Sequence, residues 1–142
     1  MNTILRSLLI KFLFVLFVFI ILPSSTHAET CSNNLCWETK TPMPTARRAL
    51  GVASDSNGNI FTLGGYDGQG GFLNVLEKYD PNNDSWTTKT PMPTARISLG
   101  LVSINEKLYA IGGLLNDNTC TNIVEEYDPQ SNTWATKQSM PT

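Results

Sequence analysis

At 142 residues, with 12 acidic against 10 basic side chains and a net charge of −2, the chain lacks the basic excess that a phosphate backbone demands, so no nucleic acid is expected as a partner. Its one histidine, His27, precedes the part expected to fold. That leaves no imidazole there for a Ser-His-Asp triad, a Cys-His pair or the usual zinc and copper sites, and no metal or cofactor is expected.

Residues 1–28 differ from everything after them. Arg6 and Lys11 precede an unbroken apolar run from Phe12 to Leu22, and Pro23, two serines and Thr26-His27-Ala28 follow. A basic start, a short apolar centre and small residues before a polar chain form the layout of a secretory signal peptide. A membrane-spanning helix needs about 20 apolar residues, and Lys11 blocks the only way to lengthen this run. Cleavage after Ala28 is expected, leaving 29–142 secreted or periplasmic and off the membrane. That length suits one small domain.

Residues 29–36 contain Cys31 and Cys36, and the third cysteine is Cys120. Export permits disulfides. A short Cys31–Cys36 bridge with Cys120 left over fits the spacing, and so do three thiols without a fixed partner.

From Trp37 onward the chain repeats itself. Trp37, Trp86 and Trp134 recur at intervals of 49 and 48, and the run from Thr39 to Arg47 returns unchanged from Thr88 to Arg96. A third copy starts at Trp134 and reaches Met140-Pro141-Thr142. A period of this length signals stacked supersecondary units. Each copy reads as four strands, giving blades over about 47–90 and 96–138 within 37–142. The first strands are 49–54 and 98–103, the second 59–63 and 107–111. The third strands are 74–79 and 122–127, the fourth 85–90 and 133–138. Turn residues such as Ser56-Asn57-Gly58 and Pro81-Asn82-Asn83 divide them. An isolated fourth strand is expected around Trp37.

The second strands decide between all-β architectures. Leu108, Tyr109, Ala110 and Ile111 are apolar on both faces of a strand, as are Ile60, Phe61 and Leu63. Such a strand belongs in a sheet covered on both sides, and radially stacked sheets provide that cover.

These residues resemble the kelch family of β-propellers. The likeness rests on Gly64-Gly65 and Gly112-Gly113 after apolar strands, Glu77-x-Tyr79-Asp80-Pro81 and Glu125-x-Tyr127-Asp128-Pro129, Trp86 and Trp134, and the Met-Pro that follows each. It implies four-stranded antiparallel blades, here two of them plus one extra outer strand, in an incomplete ring. It gives Gly64, Gly65, Tyr79, Trp86, Gly112, Gly113, Tyr127 and Trp134 structural roles, with the rings covering the glycine pair. Two repeats fall short of the blades such rings contain, and no polar cap is visible at either end. Self-association to complete a ring is one expected outcome.

In relatives that bind peptides, arginines between blades line the mouth of the ring, so the resemblance points to Arg47, Arg48 and Arg96 as binding residues. A bracing role for Arg47 and Arg96, bonding backbone carbonyls, is the competing reading, since both copies carry them. Ile97 replaces Arg48 in the second copy, which favours a binding role for Arg48. Truncating Trp86 is expected to destabilise more than truncating Arg96. Asp80-x-Asn82-x-Asp84 imitates the start of a calcium loop, but Ser85 stands where such a loop needs glycine, so a hairpin turn is expected. No catalytic residue stands out. The expected function is a secreted binding or assembly module for a protein or glycan ligand. The alternative is a carbohydrate-binding or sugar-anomer-interconverting propeller fragment.

Overall fold

The computed structural model describes residues 37–141. Eight strands fall in two sheets: β1 (Gly51–Ser54), β2 (Ile60–Leu63), β3 (Leu76–Asp80) and β4 (Ser85–Lys89), then β5 (Gly100–Ile104), β6 (Lys107–Ile111), β7 (Val124–Asp128) and β8 (Thr133–Lys137). Each sheet is a simple antiparallel meander in the order 1-2-3-4 and 5-6-7-8. The expected all-β pair of four-stranded antiparallel blades is therefore present. The expected signal peptide and the expected Cys31–Cys36 bridge fall outside the described residues. Cys120 is exposed and in no disulfide.

Several strand boundaries differ from the sequence reading by one or two residues, the first strands for a backbone reason. Ala49 and Ser98 hold φ of 55° and 52°, a left-handed kink that no strand can contain, so the first strands start later, at Gly51 and Gly100. Among the described residues no strand forms at 37–42, where the extra outer strand is expected. A fourth strand needs a third strand to bond, and the described chain offers none there; residues 37–42 have no strand pairing.

Register assigns the faces. In the first blade Val52, Ile60, Thr62, Glu77, Tyr79 and Trp86 share one face, called the front, and Gly51, Ala53, Phe61, Leu63 and Leu76 share the back. The second blade repeats this, with Leu101, Leu108, Ala110, Glu125, Tyr127 and Trp134 in front. The core is the seam where the back of the first blade meets the front of the second. Phe61, Leu63 and Leu76 pack there with Met92, Leu101, Leu108 and Tyr127. Each fully buried side chain of this size contributes about 1.5–3 kcal/mol.

The seam explains the second strands. Leu108 and Ala110 are buried because they face it, whereas Ile60 in the first blade faces outward and is 36% exposed. On the back of the second blade, Val102 and Ile104 are exposed. That face has polar cover at its outer end that the sequence reading did not anticipate: Glu126 lies 3.0 Å from both Lys107 and Lys137.

The tyrosine and tryptophan rings pack together, with centroids 5.0 Å apart for Tyr79–Trp86 and 5.1 Å for Tyr127–Trp134. The expectation from sequence that these rings cover the glycine pair is not met. Tyr79 pairs with Ile60, at the opposite end of β2 from Gly64. What approaches the glycines is backbone: a Cβ on Gly64 would lie 2.6 Å from the Arg96 carbonyl oxygen, and one on Gly65 2.9 Å from that of Arg48. Both glycines also hold positive φ, 65° and 107°, so only glycine suits them.

Candidate functional site

The glycine pairs bring two connections side by side at one end of each blade. The segment entering the first strand and the loop joining the second strand to the third meet through short backbone ladders. In the first blade Arg48 N donates to Tyr66 O at 3.1 Å, Tyr66 N to Arg48 O at 2.8 Å, and Tyr66 is bridged in turn to Phe72. In the second, Ile97 and Leu114 exchange the same pair of bonds at 3.0 and 2.9 Å, and Leu114 is bridged to Cys120. The backbone pattern is constant while every side chain on it changes: Arg48, Tyr66 and Phe72 against Ile97, Leu114 and Cys120.

Aspartates close both loops from within. Asp67 Oδ1 accepts from Gln69 N at 2.7 Å and Gly71 N at 3.0 Å. Those backbone donors, Gln69 first, hold its carboxyl below the usual range. Asp117 accepts from the Thr119 hydroxyl at 2.6 Å and the Thr119 N–H at 3.0 Å, and is depressed for the same kind of reason. An aspartate that satisfies its own loop gives the loop a defined shape without a long ladder.

The side chains of the first ladder are organised. The Arg48 guanidinium carbon sits 4.9 Å from the centre of the Tyr66 ring. Phe72 meets that ring edge-on, with centroids 6.1 Å apart and planes at 90°. A stacked guanidinium keeps its edge donors available for a carboxylate. Beside it lies a shallow groove of about 220 Å³, lined by Ala46, Arg47, Arg48, Tyr66, Asp67 and Gly68.

The structure separates the three arginines named from sequence. The Arg47 and Arg96 side chains are completely buried. Arg47 donates to Glu77 Oε2 at 2.8 Å, to the Thr62 hydroxyl at 2.7 Å and to the Val75 carbonyl at 3.1 Å. Burial works against its charge, and Glu77 opposes that shift. Arg96 donates to Glu125 Oε2 at 2.5 Å and to the Thr94 and Ala110 carbonyls, both at 3.1 Å. Thr45 and Thr94 fill the remaining carboxylate oxygens at 2.7 and 2.9 Å. Only the Nε of each arginine lacks a partner. Neither guanidinium presents an edge to solvent, so a ligand-binding role does not suit them. The arginine ties the entering segment to the middle of its blade.

Of the three, Arg48 alone is exposed. Sequence reading missed Tyr66 and Phe72 as its companions, and Glu77 and Glu125 as the acids of the buried pairs. One signal was available: each Arg recurs with its Glu 30 or 29 residues later, in the same two copies.

The turns that resemble a calcium loop are closed by their own side chains. Asp80 accepts from Asn82 N at 2.9 Å and Asn83 Nδ2 at 2.7 Å, and Asp84 from the Tyr79 hydroxyl at 2.6 Å and Thr41 N at 2.9 Å.

Comparison with known proteins adds two findings. No curated protein matches the chain. A family model described as the Kelch motif matches it twice, over residues 47–93 and 95–141.

Proposed function

Because the chain belongs to the kelch-motif family, we propose that it is a secreted, non-catalytic binding module that meets a protein partner at the Arg48 end of its blades. The observation that supports this reading is the pair of ladders. Identical backbone bonds carry Arg48, Tyr66 and Phe72 in one blade and Ile97, Leu114 and Cys120 in the other. A frame that holds its shape while its side chains vary is suited to recognition. The exposed, stacked Arg48 suits a carboxylate on the partner. The Tyr66 and Phe72 rings supply rigid apolar area at low entropic cost, the combination that dominates protein interfaces. Export rests on the layout of residues 1–28.

The test is affinity capture from the extracellular fraction, with the Arg48→Ala/Tyr66→Ala double variant as the control. A protein retained by the natural chain and lost by the variant is expected, with the variant's unfolding midpoint nearly unchanged. The same two proteins applied to a glycan array address the carbohydrate reading. Glycan binding that depends on Arg48 and Tyr66, with no protein captured, would overturn the proposal.

A further inference from the structure

We propose that a cleft between the two blades is a further binding site, which takes the phosphate group of a small molecule between Lys78 and Lys89. A difference between the two repeats points there. In the second blade Glu126 on β7 pairs with Ala135 on β8, and Lys137 stands two residues beyond Ala135 on the same face. That diagonal placement lets carboxylate and ammonium meet at 3.0 Å. The first blade has the same register, with Lys78 on β3 paired with Thr87 and Lys89 two residues further along β4. Lys78 therefore stands where Glu126 does, and Lys89 where Lys137 does. A frame that joins opposite charges in one copy brings like charges together in the other, and like charges on neighbouring strands repel. Among the described residues neither lysine forms an ion pair. Lys78 acts on the Asp80 carboxyl only through space, as the least of the influences on it, and Asp80 is already held by the Asn82 N–H and the Asn83 amide.

Both lysines are half-buried and line a cleft of about 240 Å³ that both blades form. Phe61 contributes to the first blade's side of it; Glu106 of the β5–β6 turn and Pro129 and Gln130 of the β7–β8 turn contribute from the second. The two acids of the cleft are committed elsewhere. Asp55 accepts from the Asn57 and Asn59 N–H groups at 3.0 and 2.9 Å and from the Asn59 amide at 2.7 Å. Glu106 accepts from the Ser56 hydroxyl, a bond that ties a turn of one blade to a turn of the other. The cleft thus offers two uncommitted ammonium groups. An anion between them would play the part that Glu126 plays in the second blade, where that carboxylate lies 3.0 Å from both Lys137 and Lys107.

Charge and size select the ligand. A carboxylate neutralises one ammonium, whereas a phosphate monoester carries about −1.5 to −2 at neutral pH and has an oxygen for each lysine. Lysine binds such a group as a point charge. The cleft is smaller than the roughly 300 Å³ at which sites for drug-sized ligands begin, so the molecule is small. The Asn57 and Gln130 amides line the remaining space, where the hydroxyls of a sugar ester would lie.

Isothermal titration calorimetry in a chloride buffer of low ionic strength tests this, with inorganic phosphate, glucose 6-phosphate and acetate as probes. A phosphate should bind more tightly than acetate, and its affinity should fall as salt is added. Lys78→Glu rebuilds in the first blade the Glu126–Lys137 pair of the second. It should abolish phosphate binding while keeping or raising the thermal midpoint, so that loss of the site is not loss of the fold. Lys89→Gln should weaken binding about tenfold or more, the worth of a hydrogen bond to a charged group. Arg48→Ala should leave it unchanged, which separates this cleft from the surface assigned to the protein partner. Tighter binding of glucose 6-phosphate than of inorganic phosphate assigns the site to an ester, and the reverse assigns it to the free ion. Binding of neither phosphate, acetate binding as tightly as both, or phosphate binding undiminished in Lys78→Glu or in Lys89→Gln would each overturn the proposal.

Discussion

Buried charge separates residues that look alike in sequence. Arg96 and Arg48 both sit in a segment that enters a blade, yet one is sealed against Glu125 and the other is exposed over a tyrosine. Removing one member of a buried pair strands the other, at a cost of about 3–5 kcal/mol. Truncating a well-packed aromatic costs about the same, and Trp86 is only half-buried. Arg96→Ala is therefore expected to destabilise at least as much as Trp86→Ala, reversing the order expected from sequence; urea midpoints of the two variants decide it. Arg48→Ala should shift the midpoint by less than about 1 kcal/mol, because an exposed stacked cation contributes little to stability.

Strands and their connections depend on a few backbone positions. Gly64 combines φ of 65° with a Cβ position 2.6 Å from a carbonyl, while Gly68 holds φ of 82° with nothing within 4 Å. Gly68→Ala should cost only the conformational penalty, about 1 kcal/mol. Gly64→Ala must also push the Arg96 backbone away and should cost more, on the order of 2–3 kcal/mol or above. Thermal unfolding of the pair separates torsional strain from steric conflict. In β7, Glu126 is held down to about 2 by the Tyr109 hydroxyl first, then by Lys107 and Lys137. Its folded value lies below its unfolded one. The stability it contributes is thus complete above the ordinary glutamate range and lost as pH falls through that range toward about 2. Glu126→Gln should flatten acid unfolding across that window, measured by circular dichroism against pH.

At the scale of the whole molecule, the described residues close one seam between the two blades. Tyr127 lies in the closed seam, and burial raises its hydroxyl to about 12. A group raised on folding contributes stability that is whole below its unfolded value near 10 and lost as pH rises past it. Loss of the fold through that alkaline window, weakened in Tyr127→Phe, is the expected behaviour. Ahead of the blades, the charge and apolar layout of residues 1–28 predicts an exported product beginning near Glu29, to be checked by intact mass. Recovery of the unshortened chain from membranes would contradict it.

The tandem period of the sequence determined the blades. Strand order, turn positions and the roles of the glycine pairs are local properties, repeated in register, and a single repeat nearly suffices to read them. The stretch around Trp37 misled because a strand is not local: it exists only beside a partner, and the described chain offers none there. Which arginine is buried was hidden for the same reason. Arg47 and Glu77 lie 30 positions apart in sequence, and only the folding of β2 and β3 brings them to 2.8 Å. The Arg48–Tyr66–Phe72 cluster likewise needs two loops brought together by Gly65. Alternation fixed which side chains share a face, but stacking of one blade on the next decided which faces meet in the core.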